Sequence, residues 1–128
     1  FVHKTRDLTR PNQATANRVV GDVSGRTAVI VDDLIDTAGT ICGAVRIVLE
    51  AGAKDVIVAA THGVLSDPAT QRLRESGLRE LVVTDTLPIG PEKRFPAMTV
   101  LPIAPVLARA IDEVFEDGSV TSLFDGAY

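Results

Sequence analysis

The sequence predicts an α/β domain in which parallel strands alternate with helices. Short apolar runs recur along the chain, and most are followed by a stretch with helical periodicity. Short turns join these segments, an arrangement that favours parallel strands connected by helices. The runs predicted as strands are residues 28–31, 55–61, 80–84 and 98–103. The predicted helices are residues 40–51, a segment from 66 to 77, and residues 104–115.

Two of the predicted helices carry a clear apolar face. In the first, the face consists of Ile41, Val45, Val48 and Leu49, and Gly52 follows where a C-terminal cap is expected. In the last, Pro105 stands in the first turn, where it is tolerated. Its predicted apolar face consists of Val106, Leu107, Ala110, Ile111 and Val114. The middle helix is predicted to begin with a cap at Ser66-Asp67-Pro68, with Leu73 as its core residue.

The end of the first predicted strand is the strongest candidate for a functional site. Asp32 and Asp33 follow the apolar run directly, and Asp36 to Thr40 stand where the next helix begins. Main-chain N–H groups and the helix dipole at such a terminus bind anions, phosphate above all. Carboxylates beside that loop can accept hydrogen bonds from a diol. Phosphate next to a diol is the chemistry of a sugar phosphate.

Composition limits the classes of protein to consider. The 128 residues suffice for one domain with a real core, and 45% apolar with 23% charged residues indicates a globular chain. The single Cys42 cannot form an internal disulfide, and no apolar run approaches a membrane span, so we expect a cytoplasmic protein. No signal peptide is expected. Neither GxGxxG nor GxxxxGK[ST] occurs, so neither a dinucleotide fold nor a P-loop is predicted.

The charge is uneven along the chain. Residues 1–26 carry five Lys and Arg against two Asp, although the whole chain has a net charge of −4. No aromatic residues are interleaved with these basic residues, which speaks against nucleic-acid binding. The basic segment is instead interpreted as a mobile loop that closes onto a polyphosphate. Lys4 and Arg6 stand two positions apart, so both side chains would point the same way on an extended segment.

Five segments of the chain resemble a known family. VDDLIDTAGT (31–40) resembles the phosphoribosyl-pyrophosphate loop of type I phosphoribosyltransferases and ribose-phosphate pyrophosphokinases. That loop is commonly VDDxxDTGGT, so Ala38 stands where glycine is usual. The pyrophosphokinase branch, in its actinobacterial form, is indicated by four further segments: HKTR (3–6), AATHGVLSDPA (59–69), LVVTDTLPI (81–89) and SVTSLFD (119–125).

The resemblance implies a fold and a division of the chain. The family fold is a doubly wound, Rossmann-like parallel sheet of the type I phosphoribosyltransferase kind. Residues 1–17 would form a flexible catalytic loop and residues 18–128 the C-terminal domain of the enzyme. The N-terminal domain, with most of the ATP contacts, would lie outside this sequence, so we expect the isolated chain to lack turnover.

The resemblance also implies an activity, ribose-phosphate diphosphokinase. ATP and ribose 5-phosphate would give phosphoribosyl pyrophosphate and AMP, with Mg²⁺ as the counter-charge of the triphosphate. Lys4 and Arg6 would be catalytic and would stabilise the charge on the transferred group; Thr5 replaces the arginine common between them. Metal ligands stay open, with Asp32 and Asp33 as candidates. The residues implied for ribose 5-phosphate are Asp32, Asp33, Asp36, Thr37, Ala38, Gly39 and Thr40.

Regulation and assembly are implied in the same way. In the family, the serines of SVSSLF contribute to an allosteric phosphate site at a subunit interface, and Ser119 and Thr121 match two of those positions. ADP or phosphate would then be regulators, and the family assembles as a hexamer, so a homo-oligomer is expected.

Two other functions stay open at this point. A nucleobase phosphoribosyltransferase would use the same loop, and a regulatory homologue without catalysis would keep the fold and its interface. Three chemically reactive residues are interpreted as structural: His62, Asp85 as a turn carboxylate, and Cys42 as a small packed side chain.

Overall fold

The structure, a computed structural model, describes residues 2–6 and 14–124, with side chains from residue 20 onward. Its strands are β1 (Val2–Arg6), β2 (Ala14–Val19), β3 (Thr27–Ile35), β4 (Asp55–Gly63), β5 (Glu80–Thr84) and β6 (Met98–Leu101). Its helices are α1 (Gly39–Glu50), α2 (Ala69–Glu75) and α3 (Ala104–Phe115), and short 3₁₀ turns cover Pro91–Lys93 and Val120–Phe124.

The central sheet has four parallel strands in the order β3-β4-β5-β6. The predicted α/β fold with a parallel sheet is therefore confirmed. Because the strands are parallel, their carboxyl ends meet at one edge of the sheet, where ligands of such sheets bind. In the register of β3 and β4, Asp32 lies opposite Ala60 and Leu34 opposite His62.

One face of this sheet carries the core. Helices α1 and α2 pack against it, and alternate residues of each strand point toward them, as the two-residue period of a strand requires. Val45, Val56, Val58, Leu81 and Val83 are fully buried there. The predicted face of α1 is confirmed, since Ile41, Val45 and Val48 are buried and Leu49 is partly buried, and Leu73 is a core residue of α2.

The opposite face is more open. Val29 and Val31 of β3 are 60% and 76% exposed. The helix α3 has the predicted bounds, but Leu107 and Ile111 of its apolar face are 55% and 58% exposed. The helix α3 therefore has the predicted apolar face, but the described residues leave most of that face exposed.

Several predicted boundaries are wrong. β3 continues to Ile35 and so includes Asp32 and Asp33. The last strand ends at Leu101 because Pro102, which follows, has no N–H group for the ladder. No side chain caps α2; the carbonyl oxygen of Ser66 accepts the N–H of Ala69 at 2.9 Å instead.

The segment expected to be a loop also needs correction. Residues 1 and 7–13 of the expected catalytic loop lie outside the described residues. On either side of residues 7–13, β1 and β2 pair as an antiparallel two-stranded sheet, so the loop prediction is wrong for the part that the structure describes. Among all the residues that the structure describes, no helix is both long and apolar enough to cross a membrane.

Candidate functional site

Two adjacent carboxylates stand near the carboxyl end of β3. The N–H of Asp33 donates to Oδ1 of Asp32 at 3.0 Å, and the N–H of Leu34 donates to Oδ1 of Asp33 at 2.8 Å. Each carboxylate thus accepts the main-chain donor of the residue that follows it. These local bonds order both side chains at the edge of the sheet before any ligand arrives.

The loop that follows makes a sharp left-handed turn into α1. Ala38, at the N-cap, has φ 60° and ψ 6°, a conformation that favours glycine, and it is 5% exposed. None of the described side chains caps α1. The position at which this sequence departs from the VDDxxDTGGT pattern is therefore the loop residue whose backbone would suit glycine best.

The turn leaves main-chain donors unpaired at the helix start. Among the described residues, none accepts a hydrogen bond from the N–H groups of Ala38, Gly39, Thr40 or Ile41, and the first main-chain bond of α1 runs from Cys42 N–H to Ala38 O at 2.9 Å. Converging donors at the positive end of a helix dipole are an anion-binding arrangement. The loop is therefore chemically suited to a phosphate group.

These elements enclose a cleft of about 630 Å³ that is lined by residues 32–41. Carboxylates line one part of the cleft and the helix start lines the other. The structure thus brings together all seven residues predicted for ribose 5-phosphate: Asp32, Asp33, Asp36, Thr37, Ala38, Gly39 and Thr40. Their binding role stays a prediction.

The other predicted site residues are placed less fully. Lys4 and Arg6 lie in β1, and their side chains are outside the described part of the structure. Ser119 precedes the 3₁₀ turn Val120–Phe124, where its Oγ accepts the N–H of Thr121 at 3.3 Å. The two hydroxyl residues are therefore neighbours on one exposed turn, and a phosphate role for them stays a prediction.

A contact that the sequence did not predict supports the loop from outside the cleft. Nη1 of Arg72, on α2, donates to the carbonyl oxygen of Thr37 at 2.9 Å. The two residues are 35 positions apart. No local sequence signal indicates this pairing, because Arg72 reads as an ordinary exposed residue of a helix.

The contacts of Asp85 and Cys42 are those of residues with a structural role, as the sequence predicts. Oδ1 of Asp85 accepts the N–H of Ile103 at 2.8 Å, just before α3 begins. Cys42 is half-buried, and this burial raises the pKa of its thiol, although the nearby Arg72 charge and a hydrogen bond with Ser76 act in the opposite direction. A raised pKa disfavours the thiolate, so Cys42 is not an activated nucleophile.

Curated relatives of this chain share one name. The chain is 67% identical over 126 residues to the ribose-phosphate pyrophosphokinase of Mycobacterium bovis. The aligned region covers 98% of this chain and 39% of the relative. It is 68% identical over 125 residues to the ribose-phosphate pyrophosphokinase of Bifidobacterium longum, covering 98% of this chain and 37% of the relative. The chain thus spans less than half the length of these curated relatives.

A solved structure and a family model agree with these relatives. The crystal structure of phosphoribosylpyrophosphate synthetase from Mycobacterium smegmatis superposes with a TM-score of 0.79 at 62% identity, covering 92% of this chain and 37% of that one. The family model described as the phosphoribosyl synthetase-associated domain matches residues 4–125. The resemblance stated from the motifs is therefore confirmed, and the chain belongs to the phosphoribosyl synthetase-associated domain family.

Proposed function

We propose that this chain is the ribose-5-phosphate-binding part of a ribose-phosphate diphosphokinase. The observation that carries the proposal is the cleft of residues 32–41, which is lined by acidic residues and by residues whose helix-start N–H groups are unpaired among the described residues. The helix start suits the 5-phosphate, and the carboxylates of Asp32 and Asp33 suit the ring hydroxyls. The shared name of the relatives favours diphosphoryl transfer over transfer of ribose to a nucleobase.

The reaction is a displacement at the β-phosphorus of ATP. The anomeric hydroxyl oxygen of ribose 5-phosphate bonds to that phosphorus and loses its proton. The bond from the β-phosphorus to the oxygen bridging the α- and β-phosphates breaks, and AMP leaves with that oxygen. The contribution of the cleft is to hold the sugar so that its anomeric hydroxyl is fixed in one direction. We assign the stabilisation of the transferred group's charge to Lys4 and Arg6.

Magnesium fits the donor set of the cleft. Mg²⁺ takes oxygen ligands and is often held by one or two carboxylates together with substrate phosphates. Asp32 and Asp33 provide two such carboxylates beside the phosphate loop, whereas no group of three or more His, Cys, Asp or Glu residues that could hold a metal occurs among the described residues. We assign Asp32 and Asp33 to the metal in the presence of substrate, where its charge would offset that of the polyphosphate.

The wider expectations belong to this proposal as well. The ATP contacts would come mainly from a second domain, so the isolated chain would bind the sugar phosphate without turnover. Regulation by ADP or phosphate at Ser119 and Thr121, assembly into a homo-oligomer and a cytoplasmic location complete the proposal. The single free Cys42 supports a reducing compartment.

Calorimetric titration tests the proposal. Ribose 5-phosphate would be titrated into the parent chain, an Asp36→Ala/Thr40→Ala double variant, and a matched Asp112→Ala/Thr70→Ala double variant with both changes outside the cleft. We expect binding by the parent and the matched control and its loss in the cleft variant. Equal binding by all three chains would place the sugar phosphate elsewhere, and ribose without phosphate should bind far more weakly than the phosphate ester.

A further inference from the structure

We propose that Arg72 is a positioning residue of the cleft: its bond to the Thr37 carbonyl fixes the Thr37–Ala38 peptide and, with it, the direction of the Ala38 N–H at the start of α1. The inference rests on the proposed function for the identity of the anion. Its structural part, the control of the loop by α2, stands on the contacts alone.

The geometry places the guanidinium behind the loop. Nη1 of Arg72 donates to Thr37 O at 2.9 Å, and a Cβ added at Gly39 would lie 3.6 Å from the same nitrogen. Arg72 is not among the residues that line the cleft. Its side chain therefore lies against the first turn of α1 and contacts the loop without lining the cleft.

The bond gives a main-chain acceptor of the loop a partner outside the loop. Thr37 precedes the N-cap of α1, and its carbonyl accepts from Arg72 on α2. The first N–H groups of any helix have no acceptor in that helix, so those of Gly39, Thr40 and Ile41 are available to an anion once the loop is held in place.

The bond from Arg72 fixes the direction of one main-chain donor of the loop. The carbonyl and the N–H of one trans peptide unit point in opposite directions. Because Thr37 O points toward Arg72, the Ala38 N–H of that peptide points away from the guanidinium. The peptide on the N-terminal side of the left-handed Ala38 is thus bonded from another helix, while the Ala38 carbonyl accepts the N–H of Cys42.

The position of the charge also links Arg72 to an anion. A cation beside the first turn of a helix is unfavourable with the positive end of the helix dipole. An anion at the unpaired N–H groups removes that penalty, because it is attracted by both the dipole and the guanidinium. Arg72 is therefore better accommodated when the loop is occupied than when it is empty.

Two measurements on the whole chain test the assignment with Arg72→Met and the control Arg79→Met. Arg79 is another exposed arginine, paired with Asp55 at 3.3 Å, so its loss removes a charge without touching the loop. In the ligand-free chain, amide hydrogen exchange at Cys42, whose N–H donates to Ala38 O, should quicken in Arg72→Met because the Thr37–Ala38 peptide loses its contact with α2, and it should stay unchanged in Arg79→Met. Unchanged exchange at Cys42 and unchanged amide shifts at residues 37–41 in Arg72→Met would overturn the positioning role.

The second measurement is calorimetric. Ribose 5-phosphate should bind Arg72→Met about tenfold more weakly than Arg79→Met, a difference of about 1.4 kcal/mol. Arg72→Lys, which keeps a donor and the charge, should recover part of that loss. If the parent binds the ligand and Arg72→Met binds equally well, the Arg72 assignment fails while the proposed function stands. If the parent does not bind it, the proposed function fails, and the exchange measurement still decides the role of Arg72 in the loop.

Discussion

Nδ1 of His62 lies 2.8 Å from the hydroxyl oxygen of Thr86 at the carboxyl edge of the sheet. The Thr86 hydroxyl oxygen is also 3.1 Å from the Thr61 carbonyl and 2.9 Å from the Thr84 hydroxyl, which itself donates to Thr61 O at 2.7 Å. The Thr86 hydroxyl has one proton, and we expect that proton to be donated to the Thr61 carbonyl. With that proton donated to Thr61 O, we expect Nδ1 of His62 to be the protonated nitrogen and the donor of the 2.8 Å contact.

Replacing Thr86 by Val tests this network. The change removes the acceptor of His62 and the donor to Thr61, and we expect a loss of about 1–3 kcal/mol in the free energy of unfolding. His62→Ala should lose less, about 0.5–1.5 kcal/mol, because His62 makes one bond at an exposed position. Urea unfolding measures both losses. Imidazole ¹⁵N spectra should show Nδ1–H in the parent, and an Nε2–H tautomer there would contradict the proton assignment.

This network could be predicted from the sequence only in part. The THG segment could be placed after a strand, and a structural role for His62 could be predicted from that alone. Its partner is 24 residues away, and only the parallel pairing of β4 with β5 brings the two together. The same holds for Arg72 and Thr37, whose contact depends on how two helices pack. Strands and helices follow from local periodicity, whereas contacts between them depend on the packing of the whole domain.

The site itself was more predictable, because its residues are consecutive. Residues 32–40 needed only a strand end and a helix start to be brought together, and both have local signals. The apolar face of α3 was equally visible in the sequence. Its exposure was not, because periodicity indicates that a face is apolar without indicating what covers it.

Ala38→Gly should change stability very little. Glycine removes the strain of a left-handed alanine, about 1–2 kcal/mol, but loses backbone entropy of about 0.5–1 kcal/mol and a buried methyl group of about 0.8 kcal/mol. Ala51→Gly is the matched control, since Ala51 has φ −77° and is exposed, so only the entropy term of about 0.5–1 kcal/mol applies there. Urea midpoints compare the two, and a larger loss for Ala38→Gly than for Ala51→Gly would rule out strain at Ala38.

Asp85→Ala should destabilise the start of α3. The carboxylate accepts the N–H of Ile103 from the end of a different strand, and losing one such hydrogen bond costs about 1 kcal/mol. Asp85→Asn keeps an acceptor oxygen and should retain most of the stability. Amide exchange at Ile103 gives the local measurement, with Asp112→Ala as a control on α3 itself. Equal protection of Ile103 in Asp85→Ala and the parent would show that the bond is absent in solution.

Cys42 should make the stability of the chain fall at alkaline pH. Burial raises the pKa of its thiol in the folded state, so the unfolded chain loses that proton first as the pH rises. The contribution is complete below the unfolded pKa of about 8.5 and disappears as the pH rises toward the folded pKa. Urea midpoints of the parent and Cys42→Ala should therefore converge between pH 8 and the folded pKa, even though the alanine variant starts from a lower stability because it loses packed volume.

Arg72 should shift this alkaline transition. Its positive charge lowers the pKa of Cys42 against the effect of burial, so Arg72→Met should raise that pKa further and slow alkylation of the thiol by iodoacetamide at a fixed pH near 9. Arg79→Met, whose arginine pairs with Asp55, should leave the alkylation rate unchanged. Faster alkylation in Arg72→Met would mean that losing the side chain opens the first turn of α1 to solvent. The contribution of Arg72 at that turn would then be packing rather than charge.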